Sequence, residues 1–278
     1  MRCRIRLPLP LLLCLALLLA ACGISPGKPM EEAVPLTGQR FLLLGEVHDN
    51  ADGHARRLAL LQSLIAAGAR PAIAMEQFDR EHQAELTQAM QTCADADCVI
   101  RRAAPGRQSW HWPYYSPVIE LALQYRLPLL AANLSRQDAA RIVREGFAAA
   151  LDAETRQRFG LDASLPQALL QEQAAVIAEG HCHLLPENLL PGMARAQVAR
   201  DVWMARTLLA SPAAQTVLLA GNGHVRHDLG VPCWLGDAAS GTLGIGFLEP
   251  DTPAAPYDRA ETVAARTDRG DPCGALKR

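Results

Sequence analysis

Short apolar runs that alternate with amphipathic segments dominate the first half of the chain. Apolar runs at residues 40–45, 72–76 and 127–132 predict strands, and Asp49 or Asn50 is predicted to cap a helix that ends near Ala67. Further helices are predicted at 80–92 and 117–125. Near-continuous apolar strands separated by helices are typical of a parallel sheet that is covered on both faces. The pattern therefore predicts an α/β fold with a mostly parallel sheet flanked by helices.

The alternation of strands and helices stops between Ser135 and about Pro212, where no strand-like run occurs. Ser135 can cap a helix that extends to Glu145, a second helix begins near residue 164, and residues 193–210 have one apolar face. We therefore expect a smaller helical lobe at 135–212, inserted into an α/β domain formed by 39–134 and 213–250. Strands are predicted to resume at 216–220 and 243–248. Residues 251–278 are rich in Pro, Asp and Arg, which predicts a surface tail.

The first 21 residues have the pattern of a signal peptide. Three arginines precede an apolar run from Leu7 to Ala21. The run ends in Leu-Ala-Ala-Cys (19–22), which resembles the bacterial lipobox and predicts lipidation of Cys22; ordinary secretion with a cysteine at this position is the alternative. Gly23 resembles the residue that directs lipoproteins to the outer membrane. We therefore expect a lipid anchor in the outer membrane, a protein body that faces the periplasm, and a tether at 22–38.

Charge and cysteine content narrow the class of protein further. The leader carries three of the 27 basic residues and no acid, so the remaining chain has a formal charge of −5. Because the chain contains no basic tract, we do not expect a nucleic-acid partner. Cysteines beyond Cys22 fit an oxidising compartment. Cys93 and Cys98 flank a polar loop that a local disulfide can close, and a Cys233–Cys273 disulfide would fix the tail. The pairing of these four cysteines and Cys182 stays open.

Acidic and histidine side chains follow three of the predicted strands. Gly-Glu-Val-His (45–48) and Gly-Asn-Gly-His (221–224) each follow an apolar run, and Glu76 ends a third run. Carboxyl ends of parallel strands converge on one crevice, so we expect Glu46, His48, Glu76 and His224 to share a pocket. Such a set can hold a divalent metal or supply a general base. Exposed loop histidines and a structural ion pair are the alternatives. Arg226, two residues beyond His224, can bind a carboxylate.

A second group of candidates is aromatic. Four aromatic residues stand within six positions that prolines interrupt: Trp110, Trp112, Tyr114 and Tyr115. An aromatic loop beside a strand-end crevice suits a flat apolar ligand, and a tyrosine phenolate is an established axial ligand of ferric haem. His181 and His183 flank Cys182 and are further candidate ligands, with surface exposure as the alternative. Core packing is the alternative for the aromatic residues.

Several motifs in combination resemble the ChaN-like haem-binding lipoproteins. The resemblance extends from about residue 38 to 250 and implies a parallel α/β domain with a smaller helical domain, attachment to the outer membrane and a role in haem and iron acquisition. The matching segments are Gly-Glu-Val-His-Asp-Asn (45–50), Met-Glu-Gln-Phe (75–78), Tyr-Ser-Pro (115–117), Leu-Pro-Leu-Leu-Ala-Ala-Asn (127–133), Leu-Leu-Pro-Glu (184–187), Pro-Gly-Met-x-Arg-Ala-Gln-x-x-Arg-Asp (191–201) and Gly-Asn-Gly-His-Val-Arg-x-Asp-x-Gly-Val-Pro (221–232).

The resemblance also implies ligands and partners. It implies that a tyrosine binds the haem iron and that two haems stack in a homodimer. Tyr115 is therefore the predicted ligand of ferric haem and Tyr114 the next candidate, with His183 as a further ligand and Arg226 as a partner for the propionates. The wider superfamily also includes Tiki-type proteases and erythromycin-esterase-like hydrolases. A metal-dependent hydrolase that uses the Glu and His residues at 46, 48, 76 and 224 is thus the alternative to a haem-binding lipoprotein without catalysis.

Overall fold

A parallel six-stranded sheet lies at the centre of the computed structural model, which describes residues 36–106, 110–270 and 273–274. The strands are β1 (Phe41–Leu44), β2 (Ala72–Asp79), β3 (Leu129–Asn133), β4 (Thr216–Leu219), β5 (Thr242–Leu248) and β6 (Arg259–Thr262). The strand order is β3-β2-β4-β1-β5-β6, and every neighbouring pair is parallel. This confirms the predicted α/β class.

Helices cover both faces of this sheet. Alternate residues of each central strand point to opposite faces. Leu42 and Leu44 therefore pack under α1 (Ala51–Ala66) and α4 (Ser116–Tyr125), whereas Phe41 and Leu43 pack under α8 (Leu190–Ala210). Four helices follow one another between β3 and β4, where α5 and α7 pack on α8. The helices are α1 (Ala51–Ala66), α2 (Gln83–Thr92), α3 (Ala96–Ala103), α4 (Ser116–Tyr125), α5 (Arg136–Glu145), α6 (Ala153–Arg158), α7 (Gln167–Gly180), α8 (Leu190–Ala210) and the single turn α9 (Asn222–Val225).

Local capping explains where two of the predicted helices begin. The Asn50 side chain accepts a hydrogen bond from the backbone N–H of Gly53 at 2.9 Å and starts α1. Ser135 does the same for α5 through Asp138 at 3.2 Å. These caps place the N-termini of both helices beside the carboxyl ends of β1 and β3.

Some elements differ from the expectation. β2 continues to Asp79 rather than ending at Glu76, and α3 and α6 are additional short helices. No strand is predicted within 251–278, yet Arg259–Thr262 forms β6 and pairs with β5. This strand alternates between half-buried and exposed positions and carries two charged side chains. A polar strand at the sheet edge has no apolar run, so hydrophobic patterning does not reveal it.

Disulfides fix two further segments. Cys93 and Cys98 form the local disulfide. The tail cysteine Cys273 is joined to Cys182 at the end of α7 instead of to Cys233, which is an exposed free thiol. The predicted signal peptide, the lipidation site at Cys22 and nearly all of the tether lie outside the described residues. No helix within the described ranges combines the length and the apolar character needed to cross a bilayer.

Candidate functional site

The carboxyl ends of β2, β4 and β1, which are neighbours in the sheet, bring the predicted Glu and His residues together. Gly221, two residues beyond β4, donates its backbone N–H to Glu76 Oε2 at 2.8 Å. The His48 ring lies against the same glycine, because a Cβ added there would stand 3.1 Å from His48 Cε1. His224 Nε2 lies 3.6 Å from Glu76 Oε1. Glycine at 221 thus lets side chains from three strand ends meet in one crevice.

Glu46 is a buried carboxylate with several partners. It accepts hydrogen bonds from the Tyr115 hydroxyl at 2.6 Å and from His48 Nδ1 at 2.7 Å. It also forms an ion pair with Arg57. Burial by itself raises the pKa of Glu46, but the Arg57 guanidinium and the hydrogen bond from His48 outweigh burial and lower this pKa to about 2. Glu46 is therefore ionised at neutral pH and fixes the positions of the three side chains around it.

Two residues of α1 extend this network, and neither was predicted from the sequence. Arg57 is 2% exposed and donates to His54 Nδ1 at 2.8 Å. The opposite ring nitrogen of His54 donates to the His48 carbonyl at 3.0 Å. Burial and the adjacent Arg57 lower the pKa of His54 to about 4, so this ring is neutral. The available signal was helical spacing, because positions 54, 57 and 61 share the buried face of α1.

His224 is buried between two carboxylates. Its Nδ1 donates to Asp201 Oδ1 at 2.5 Å, and its Nε2 faces Glu76. Burial lowers the pKa of His224, but Asp201 and Glu76 outweigh burial and raise this pKa to about 10. His224 is therefore an imidazolium at neutral pH. Asp201 was not among the site residues predicted from the sequence, although this acid lies on the same helical face as the buried Val198 and Val202 of α8.

His48 presents one edge of its ring to solvent. Its side chain is 50% exposed, and Nδ1 is bonded to Glu46. Nε2 forms no hydrogen bond with any residue that the structure describes. Burial lowers the pKa of His48, but the hydrogen bond to Glu46 and the nearby Glu76 carboxylate raise this pKa above its ordinary value of 6.5. An imidazole that a carboxylate holds through one nitrogen and that is open at the other is arranged for proton transfer.

A cleft of about 720 Å³ opens in front of these side chains. Its volume lies within the range of about 300–1,000 Å³ that is usual for small-molecule and cofactor sites. Trp110 stands edge-on to His48 with 5.0 Å between the ring centroids, so aromatic surface borders the crevice. The lining includes His48, Asp49, Glu76, Asp79, Gly106, Trp110, His111, Asn133, Arg136 and Arg200.

The two adjacent tyrosines occupy different environments. Tyr115 is 1% exposed, and its hydroxyl donates to Glu46. Burial and the Glu46 carboxylate raise the pKa of Tyr115 far above its ordinary value of 10. Tyr114 is half-buried; its ring stacks on His54 at 4.6 Å and contacts His111 at 4.4 Å. Of the two phenols, Tyr114 is therefore the more accessible.

The other predicted ligands lie in separate surroundings. Arg226 forms a bidentate pair with Asp228, at 2.9 Å through Nε and 2.7 Å through Nη2. His181 and His183 are exposed at the end of α7, on either side of the disulfide-bonded Cys182. Within the described residues, none of these side chains forms a hydrogen bond or an ion pair with the Glu and His residues of the crevice.

The acids and imidazoles of the crevice are paired with one another. Within residues 36–106, 110–270 and 273–274, no group of three or more His, Cys, Asp or Glu side chains is arranged to hold a metal ion. The carboxylates instead face Arg57, His48 and His224. The metal-dependent alternative therefore has no preformed ligand set in the described part of the chain.

Comparisons with known proteins identify the family to which the sequence is similar. The model of the family described as "Haem-binding uptake, Tiki superfamily, ChaN" matches residues 33–235. A haem-bound ChaN structure from Campylobacter jejuni, described as showing cofacial haem binding, is similar at 19% identity and a TM-score of 0.65, over 80% of this chain and 86% of that one. At this low sequence identity, the structural similarity shows only that the two proteins share a fold.

Two other similar structures are more distant. One is an erythromycin esterase mutant in its open conformation, at 15% identity and a TM-score of 0.46, over 80% of this chain and 75% of that one. The other is a type III effector, at 13% identity and a TM-score of 0.46, over 82% and 88%. No curated protein matches the chain in sequence.

Proposed function

The chain belongs to the ChaN family of haem-binding uptake proteins in the Tiki superfamily, and on this basis we propose that it binds haem in the cleft at the carboxyl ends of the strands. The main support for the proposal is the presence of aromatic side chains in the wall of this cleft. Trp110 and His111 line the cleft, so flat ring surface and an imidazole lie side by side there, and Tyr114 contacts His111 from an adjacent crevice that Asp49 also lines. The cleft volume also fits a cofactor-sized ligand.

Tyr114 is the iron ligand in this proposal. A tyrosine binds ferric iron as the phenolate, after its hydroxyl has lost the proton, whereas the buried Tyr115 hydroxyl keeps its proton in a hydrogen bond to Glu46. The raised pKa of Tyr115 makes its phenolate costly to form. Tyr114 has no such bond to a buried carboxylate; it lines the crevice next to the cleft and contacts His111, which lines the cleft itself. Tyr115 then has a positioning role, because it holds Glu46 and, through Glu46, His48.

The cellular part of the proposal comes from the sequence and from the family. Lipidation of Cys22 anchors the protein in the outer membrane, with its folded body in the periplasm. In that place it holds ferric haem, or passes it on, as part of haem and iron acquisition. A homodimer that brings two haems face to face belongs to the same proposal, by analogy with the cofacial haems described for the Campylobacter jejuni protein.

Haemin titration of the purified protein, followed by absorbance, tests the proposal. We expect a saturable Soret shift and a phenolate-to-iron charge-transfer band. Tyr114→Phe should lose the band, whereas Tyr125→Phe, which removes an exposed phenol on α4, should keep it. The absence of saturable binding by the wild-type protein would reject the proposed function. Loss of the band in Tyr115→Phe but not in Tyr114→Phe would assign the iron to Tyr115.

A second candidate function is hydrolysis, and the geometry of His48 favours it. This imidazole is half exposed at the cleft, is oriented by the buried Glu46, and has Nε2 open for a water molecule or substrate. Glu76, which lines the same cleft, is held in place by the buried His224 imidazolium and by the Gly221 backbone N–H. In this interpretation His48 is the general base, with or without a divalent metal ion.

Hydrolysis of p-nitrophenyl acetate, with and without added Mn²⁺, tests the second candidate. His48→Ala should abolish turnover and leave haemin binding intact, whereas Tyr114→Phe should leave turnover intact. Exposed His183, in the turn that follows α7, supplies a matched control, because His183→Ala should change neither measurement. Equal turnover by wild-type protein and His48→Ala would reject the hydrolase.

A further inference from the structure

The crevice that Tyr114 lines, here termed the tyrosine crevice, has the C-terminal tail as one of its walls. Its lining consists of residues 264–268 of the tail, residues 49–52 and Tyr114. Its volume of about 290 Å³ falls just below the range of about 300–1,000 Å³ that is usual for small-molecule and cofactor sites. While the tail stays in this position, the tyrosine crevice therefore has no room for a ligand of cofactor size.

Asp49 lines both the cleft and the tyrosine crevice, and the tail binds this residue. Arg269 donates to Asp49 through Nε at 2.9 Å and through Nη2 at 2.5 Å. The same guanidinium donates to Glu249 through Nη1 and Nη2, both at 2.8 Å. Arg266 adds a third contact to Asp49 at 3.0 Å. Arg269 thus joins the tail to two carboxylates, one of which borders the cleft.

Residues 264–269, here termed the strap, contribute no buried side chain, although the structure describes each of them. All are exposed except Arg269, which is half-buried. The Ala264 N–H donates to Asp52 at 2.9 Å, and the Ala264 carbonyl accepts from Asn50 at 2.8 Å. Exposed ion pairs contribute little stability, and a segment with few buried apolar contacts opens locally at a low cost in free energy.

Both sides of the strap are fixed more firmly than the strap itself. Val263 is 1% exposed, and its backbone N–H donates to the Leu248 carbonyl at 2.9 Å. Cys273, beyond the other end, is joined to Cys182 by a disulfide. A segment that is held at both ends, and only by polar contacts between them, can lift from the crevice and return without unfolding of the sheet.

We propose that the strap is a gate over Tyr114, which opens to admit a ligand of cofactor size and which Arg269 holds closed through Asp49 and Glu249. The proposal rests on the proposed haem function and adds control of access to the iron ligand. When only the open form binds, the apparent affinity falls in proportion to the fraction of open molecules. Loss of the Arg269 contacts should therefore strengthen haemin binding, whereas loss of a direct contact to the ligand would weaken it.

Nitration by tetranitromethane measures the gate in the absence of haem. Peptide mass spectrometry gives the rate at Tyr114, and the exposed Tyr125 serves as the internal reference. We expect Arg269→Gln to raise the Tyr114 rate about threefold to tenfold, as expected for the loss of two exposed ion pairs. About 1 M NaCl, which screens exposed charges, should raise the wild-type rate toward that of the variant. Arg259→Gln, which removes a partly exposed pair with Glu261 from the same tail, is the matched control and should change neither rate.

Stopped-flow absorbance with haemin measures the effect of the gate on the ligand. Arg269→Gln should accelerate the appearance of the phenolate band about threefold to tenfold and tighten the apparent affinity by the same factor. Arg259→Gln should match the wild type in both measurements. At saturating haemin, both variants should keep the band, because neither arginine binds the iron.

The outcomes separate the gate from the proposed function. Wild-type protein that binds no haemin rejects the proposed function, whereas the nitration rates test the strap in either case. Equal nitration of Tyr114 in the wild type, Arg269→Gln and Arg259→Gln overturns the gate. Faster nitration without faster haemin association also overturns it, because the strap would then cover Tyr114 without controlling the ligand. Weaker haemin binding by Arg269→Gln overturns it as well.

Discussion

Replacement of Glu46 by Gln tests the buried network that positions the site. The carboxylate of Glu46 pairs with Arg57 and accepts from Tyr115. Gln has nearly the same shape but no charge. The change therefore leaves the Arg57 guanidinium buried without its counter-ion, and Nε and Nη1 of this arginine already have no hydrogen-bond partner. We expect Glu46→Gln to lower the free energy of unfolding strongly.

Two independent arguments give the size of this loss in the free energy of unfolding. Removal of one partner from a buried ion pair costs about 3–5 kcal/mol, because the remaining charge is uncompensated. Lowering of the Glu46 pKa from its ordinary value of 4.5 to about 2 corresponds to about 3 kcal/mol. Glu145→Gln, the same change in an exposed pair with Arg144, should cost at most about 1 kcal/mol. Replacement of both partners, as in Glu46→Gln/Arg57→Met, should recover much of the loss.

Urea unfolding at several pH values measures these differences. A carboxyl group with a lowered folded-state pKa stabilises the protein fully above about pH 4.5, and this stabilisation is lost as the pH falls toward 2. The stability difference between wild type and Glu46→Gln should therefore be constant from pH 7 to about 5 and shrink below that. Equal costs for Glu46→Gln and Glu145→Gln, or a difference that does not change with pH, would refute this reasoning.

Two further predictions concern the packing of α8 and the disulfide bond of the C-terminal tail. Gly192→Ala in α8 should lower the free energy of unfolding by about 1–3 kcal/mol, because the new Cβ would stand 2.6 Å from the Val143 carbonyl oxygen. In the control Gly180→Ala in α7, the new Cβ meets no atom within 4 Å. This control should raise the free energy of unfolding by about 0.4–1 kcal/mol in the same urea assay. Replacement of both Cys182 and Cys273 by Ser should lower the free energy of unfolding by about 4–5 kcal/mol, because their disulfide closes a long loop. Thermal or urea unfolding measures this loss, and an unchanged unfolding midpoint would contradict the expectation.

Local signals predicted the parts of the site that lie at strand ends. The apolar run before Gly45 and the run before Gly221 each mark a parallel strand, and the residues after such strands meet in one crevice whatever the intervening chain does. For this reason Glu46, His48 and His224 could be identified as neighbours from the sequence, as could the α/β class of the fold.

The partners of these residues depend on tertiary packing and could not be predicted in the same way. The hydrogen bond between Tyr115 and Glu46 joins residues 69 positions apart, and Asp201 reaches His224 from a different helix. Their roles follow from where α4 and α8 dock on the sheet. Burial of Tyr115 is also a tertiary property, since its neighbour Tyr114 in the same turn is half-buried.

The identity of the iron ligand is the central claim, and resonance Raman spectroscopy of the ferric haem complex tests it most directly. Excitation within the charge-transfer band enhances phenolate vibrations only when a tyrosine binds the iron. We predict these bands in the wild-type complex and in Tyr115→Phe, and their loss in Tyr114→Phe. Phenolate bands that persist in Tyr114→Phe, or their absence from the wild-type complex, would contradict the account.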